Sequence, residues 1–230
     1  MDNTRLLNLY FGLVILEFIS IYFEFDFLHI LSNVLSAPII LLIYLRIAKH
    51  NFKWYLIIVL VFLYFTDLFH LLIDPNINNL LCVFLNAVAY SVLMIFVFKK
   101  MEFLKLRELD YIFYMSFVIV FFLFLYVVWV VNDMLVDQNV QYYPLFFLYA
   151  ILMFVMGLLI TIKYIVKPNK ANTNLEVVVF CLVVSDVFYV FHVVYSEILM
   201  VKYLFFLPQL LVYYFLLRYE LNRNKIFEIK

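Results

Sequence analysis

The stretch WYLIIVLVFLYFTDLFHLLI, residues 54–73, holds one acid, Asp67, and one imidazole, His70, in an otherwise apolar run. About 20 such residues cross the hydrocarbon core of a bilayer as a helix, so the segment reads as a membrane span. An Asp at the centre of a span costs roughly 2.5–3.5 kcal/mol on insertion scales, and something inside the folded protein has to meet it. Runs of the same kind occur at Leu6–Tyr22, Leu28–Leu45, Ile77–Phe98, Tyr111–Val131, Tyr143–Val166, Leu175–Tyr195 and Ile198–Leu217. With short connections between them, the expected fold is an all-α, polytopic membrane bundle of eight transmembrane helices.

Composition agrees. Charged residues make up 14% of the chain and hydrophobic ones 69%, where a soluble domain carries roughly 25% charged. The first run lacks a small-residue cleavage site and is expected to be a retained span. No Gly- or Pro-rich linker divides residues 1–230, so we expect a single domain. Two glycines in the whole chain exclude a phosphate-binding Gly loop, and neither a Ser-His-Asp pattern nor a nucleic-acid patch is present. Cys82 and Cys181 both fall inside spans and give neither a disulfide framework nor metal-site spacing.

The charge pattern fixes an expected topology. Of the 16 Lys and Arg, only Lys202 falls on one side of the alternating spans, and the remaining 15, from Arg5 to Lys230, fall on the other. The positive-inside rule then puts both termini in the cytoplasm. Glu24, Asp26, Asp74, Asp133, Asp137 and Glu197 occupy the opposite loops. A seven-span arrangement would break this alternation.

A second motif echoes the first. Thr66-Asp67-Leu68-Phe69 resembles Ser185-Asp186-Val187-Phe188, each a small hydroxyl residue, an Asp, an aliphatic and a Phe. The two sit in spans three and seven, which share one orientation, and a 4+4 duplication with a site between the halves accounts for this. Helix rise places Asp67 about 10 Å inside the residue Asp74 and puts Asp186 near the midplane. Glu17 lies at a similar depth. Three acids at such depths call for an interior cavity or for one another.

The chain resembles the YhhN family of eight-span lysoplasmalogenases in Ala37-Pro38, Thr66-Asp67, Tyr90, Ser185-Asp186 and Tyr213-Tyr214, taken in that order. It departs from the family at Ala37, Ala87 and Leu217, where a Lys, a His and a Gln would stand, and at Thr66, which replaces the usual Gly. The resemblance implies a multi-pass protein of the bacterial cytoplasmic membrane that hydrolyses the vinyl ether of a lysoplasmalogen. The products are a fatty aldehyde and a glycerophospho-alcohol. The expected partners are a lysophospholipid or other single-chain lipid and the bilayer itself, without a metal or cofactor.

Enol ethers hydrolyse by slow protonation of the outer vinyl carbon, and water captures the resulting oxocarbenium ion. As in glycoside hydrolysis, this needs a protonated acid beside an anion that stabilises positive charge. Two neighbouring carboxyls that resist double ionisation can share one proton, so Asp67 and Asp186 take these catalytic roles. Tyr90, Tyr189, Tyr213, Tyr214, His70 and Glu17 are the expected binding residues around them. Tyr189 is three residues from Asp186 and His70 three from Asp67, each on its acid's helix face. His192, six residues from Asp186, points about 120° away.

Three other classes make different demands on the sequence. A zinc-dependent lipid hydrolase needs several His around a metal, and no His-x-x-x-His occurs. A retinal protein needs a lysine in span seven, and Leu175–Tyr195 has none. A lipid-binding module or proton-coupled transporter needs only the acid pair, and the family's missing Lys and His favour it.

Overall fold

The protein is all-helical in a computed structural model, which describes residues 3–48, 52–72, 75–99, 111–137, 143–194 and 198–223. Among them are eight helices: α1 (Asn3–Phe23), α2 (Asp26–Ala48), α3 (Trp54–Leu72), α4 (Pro75–Lys99), α5 (Tyr111–Asp137), α6 (Tyr143–Val166), α7 (Lys170–Val194) and α8 (Leu199–Arg223). Seven are long and apolar enough to cross a membrane, and in α5 the apolar stretch is the shorter Phe117–Val130. This is a multi-pass helical membrane protein. Lys49, Asp74, Lys100, Lys105, Arg107, Glu197, Lys225 and Lys230, which carry part of the charge pattern, lie outside the described residues.

Several helices run past their apolar stretches, because capping rather than hydropathy ends a helix. At α7 the Asn169 side chain accepts from the Asn172 amide at 2.9 Å and starts the helix at Lys170, five residues before the apolar run. At the end of α1, Glu24 takes φ 54° and Phe25 N–H returns to the Ser20 carbonyl at 2.9 Å, a closure usually given to Gly. Lys202, early in α8, holds the Glu24 carboxylate at 3.3 Å. The end of α1 and the start of α8 therefore lie together.

Polar side chains are drawn into the interior and large apolar ones cover the outside, as lipid surroundings favour. Glu17, Ser20, Ser32, Asn33, Ser36, Thr66, Asp67, Asn86, Asn172, Ser185 and Glu220 are buried, while Phe27, Trp54, Phe122 and Phe180 face outward. Hydrocarbon gives no apolar driving force between helices, so these inward polar groups and close packing hold the bundle. Each of α1, α2, α3, α4, α6, α7 and α8 packs on the next, and α8 returns to α1 and α2. The seven close a ring. α5 leans on α6 and α7 from outside it, with Phe124 stacked on Phe154 at 4.4 Å.

Two prolines interrupt the ring. Pro208 removes the backbone bond that the Leu204 carbonyl would accept. Near this break, Ser185 Oγ donates to the Phe205 carbonyl at 2.9 Å and the Tyr10 hydroxyl donates to the Leu210 carbonyl. Donors from neighbouring helices support an interrupted backbone, which is how membrane helices tolerate Pro. Pro38 sits within α2. At the other end of α8, Arg223 Nη1 donates to Glu220 at 3.0 Å and to the Tyr55 hydroxyl at 2.7 Å, and Tyr55 in turn donates to Glu220. The Arg223 guanidinium also lies 4.6 Å over the Phe96 ring. This knot ties α8 to α3 and α4.

Candidate functional site

Asp67 on α3 and Asp186 on α7 border one narrow cleft with Asn86, Tyr90, Gln209 and Tyr213. Its volume of about 10 Å³ is at the lower limit of the space that holds one water molecule. The acids are held by phenols. Tyr213 of α8 donates to Asp67 Oδ2, while Tyr90 of α4 and Tyr149 of α6 each donate to Asp186 Oδ2 at 2.6 Å. The two tyrosines on Asp186 also stack on each other, with ring centroids 5.5 Å apart. In each carboxyl one oxygen is fixed by tyrosine, and the other accepts no hydrogen bond among the described residues.

The pairing is crosswise. The acid of α3 is held from α8, and the acid of α7 is held from α4. An amide precedes each of those tyrosines by one turn, Asn86 before Tyr90 and Gln209 before Tyr213, and both amides line the cleft. Asn86 is 8% exposed, and its Oδ1 is buried with no hydrogen-bond donor among the described residues. A buried acceptor left in this state costs about 1–3 kcal/mol.

Asp186, Asn86 and Gln209 also reach a second, much larger cavity of about 630 Å³. It lies between α5 and the body of the bundle, and its walls are mainly apolar, including Phe117, Phe124, Met153, Phe154 and Val183. His70 and Tyr189 line it together, their rings 4.7 Å apart. Two expected binding residues thus face the large cavity rather than the cleft. His192 packs on Phe205 and Phe206 and lines neither space.

Two expected residues are not at the site. Tyr214 is one helical step, about 100°, beyond Tyr213, and its ring packs with Tyr10 and Phe11 at 6.5 and 5.1 Å. Glu17 is fully buried in a cluster of its own between α1 and α2. It accepts from His29 Nδ1 at 2.8 Å and Asn33 at 3.1 Å on Oε1, and from Ser32 and more distantly Ser20, at 3.4 Å, on Oε2. Four donors on one carboxylate leave it no free lone pair to offer a ligand. Its role is to lock the α1–α2 hairpin. Glu17→Gln should therefore lower stability by about 1–3 kcal/mol, because the new amide opposes donors, and leave any turnover unchanged. Thermal melting beside an activity assay checks both halves.

Tyr149, Asn86 and Gln209 were not legible as site residues. A tyrosine is unremarkable in a chain with 19 of them. The shared spacing of an amide four residues before a tyrosine was the available signal. Among the described residues no group of three or more His, Cys, Asp or Glu could hold a metal ion. Comparison with protein-family models, curated proteins and solved structures finds no match to this chain. The chemistry of the site therefore rests on its geometry.

Proposed function

We propose that the protein is an intramembrane lipid hydrolase of the YhhN type, cleaving the vinyl ether of a lysoplasmalogen with Asp67 and Asp186. The observation that carries this is the junction of two spaces. A cleft holding two carboxyls, each with one oxygen open, meets an apolar cavity of lipid size at Asp186 and Asn86. One protonated carboxyl gives its proton to the outer vinyl carbon, and the other, ionised, stabilises the oxocarbenium ion. A water admitted to the cleft adds to the cationic carbon, and its proton passes to a carboxylate. The hemiacetal then breaks its bond to the glycerol oxygen, which takes up a proton and leaves as alcohol beside the aldehyde.

The polar companions differ from the family's, and the cleft is lined by other amides. Asn86 stands one residue before Ala87, and Gln209 supplies an amide to α8 where Leu217 does not. Mass-spectrometric product analysis of purified protein, given a lysoplasmalogen beside its ester analogue, tests the reading. Aldehyde released from the vinyl ether alone is expected.

A second reading, favoured by Ala37, Ala87 and Leu217, is a lapsed member that binds lipid or couples its transport to protons. Binding of lysoplasmalogen without aldehyde at any pH would establish it over hydrolysis.

We further propose eight spans, both termini cytoplasmic, and a 4+4 duplication. The contact between Glu24 and Lys202 supports eight, because it requires an even number of crossings between the end of α1 and the start of α8. α2, α3, α4, α6 and α7 make five, and α5 supplies the sixth. The crosswise Asp–Tyr pairs support the duplication. The halves then differ where α1 packs tightly on α2 while α5 stands off α6, leaving the large cavity. Cysteine labelling after Asn76 and after Lys170 should report opposite sides of the membrane; labelling from one side would end the eight-span arrangement.

A further inference from the structure

The large cavity is closed unevenly. On the α6 side Phe154 stacks on Phe124, ring centroids 4.4 Å apart, and meets Phe121 and Phe117 at 5.8 and 6.3 Å. These rings form an aromatic seam between α5 and α6. On the α7 side the side chains that line the cavity also face outward. Phe180 of α7 is 68% exposed and Leu123 of α5 is 58% exposed, with Val120 and Val127 of α5 exposed beside it. Met153 and Val179, deeper in the cavity, are buried. A side chain that both lines a cavity and faces outward stands at its mouth. Leu123 is near the middle of the apolar stretch Phe117–Val130, and Phe180 lies inside the apolar span of α7. This mouth therefore opens into hydrocarbon and not into water.

We propose that the cavity fills from the side: one chain of a bilayer lipid enters between α5 and α7 while its head group stays at the membrane surface. Among the described residues that line the cavity there is no Lys or Arg to meet a phosphate, so its walls suit a chain and not a head group. Lipid tails are as apolar as Leu, so the transfer carries no hydrophobic cost. Dispersion contacts with walls such as Val183 and Phe154 favour it. The volume of about 630 Å³ is within the usual range for sites that enclose a ligand. α5 stands outside the ring of the other helices and packs on α6 and α7. A movement of α5 therefore widens the mouth and leaves the ring and its acids in place. Asp186 and Asn86 border the same cavity, so the route ends at the cleft. It goes beyond the hydrolase reading, because a lipid-binding protein would use it equally.

A double-chain phosphatidylcholine with a diazirine in mid-chain tests the route, because such a lipid stays in the bilayer and reaches the inner wall only through a side opening. Proteoliposomes holding the full-length protein are illuminated, and peptide mass spectrometry locates the attached lipid. The lipid should be found on Met153 and Val179 of the inner wall as well as on the outward Phe122. Leu123→Cys with Phe180→Cys, in a chain with Cys82→Ala and Cys181→Ala, lets a cleavable bis-maleimide tie the mouth shut. Labelling of the inner wall should then be lost while Phe122 is still labelled. Reductive cleavage of the linker should restore it, which also shows that the variant is folded. Labelling confined to outward residues in the wild type, or inner-wall labelling that survives the tie, overturns the route. The readout needs no turnover. Inner-wall labelling without vinyl-ether cleavage refutes hydrolysis alone, and cleavage without inner-wall labelling refutes the side route alone.

Discussion

Asp67→Asn and Asp186→Asn should each remove vinyl-ether cleavage from a protein that still folds. Asn keeps the size of the side chain and an oxygen for the phenol that holds it, from Tyr213 at position 67 and from Tyr90 and Tyr149 at position 186. It can neither release a proton nor carry negative charge. General acid–base help is worth about 10²–10⁴-fold, and the loss should appear in kcat more than in KM because the apolar cavity still binds the chain. Turnover of the wild type should also fall as pH rises and the proton shared by the acids is lost. Aldehyde release by mass spectrometry, with thermal melting as the control for folding, reads out both variants. Near-normal turnover in either variant would remove that acid from the chemistry.

The second large effect is on stability. Arg223→Ala should destabilise the protein by about 3–5 kcal/mol, because it breaks a buried ion pair with Glu220, 1% exposed, and takes from Tyr55 the hydrogen bond that Arg223 donates. For a chain of this length that is a fall in Tm on the order of 10 °C. Tyr55→Phe, which removes one hydrogen bond from the same knot, should cost about 1 kcal/mol. The double variant Arg223→Met with Glu220→Met should recover most of the loss, since a buried ion pair is often no better than apolar side chains of similar volume. A double variant as unstable as Arg223→Ala would show that the knot holds α8 by geometry rather than by charge balance.

These two sites show how the bundle divides its polar groups. Glu17 accepts from four side chains and Glu220 from Arg223 and Tyr55, and both join helices. Asp67 and Asp186 each keep an oxygen for the cleft, and Asn86 Oδ1 and Glu176 Oε2 are buried without a donor among the described residues. Satisfied groups stabilise, and those with spare capacity are where a ligand gains most.

Composition and run length determined the class and the eight helices, because hydropathy depends on sequence alone. The matched Thr66-Asp67 and Ser185-Asp186 motifs likewise predicted two acids at one level, and the structure brings them to one cleft. Facing was another matter. A helix in lipid is apolar on all sides, so periodicity does not say which residues point inward, and Tyr213 and Tyr214 read alike although one holds Asp67 and the other packs on Tyr10 and Phe11. Only the tertiary structure chose between them, supplied Tyr149 from a helix far off in sequence, and gave Glu17 to its own hairpin. It also set α5 away from α6 and so opened the cavity, a decision made by packing between helices, which in hydrocarbon is governed by shape and a few buried polar contacts rather than by apolar pattern.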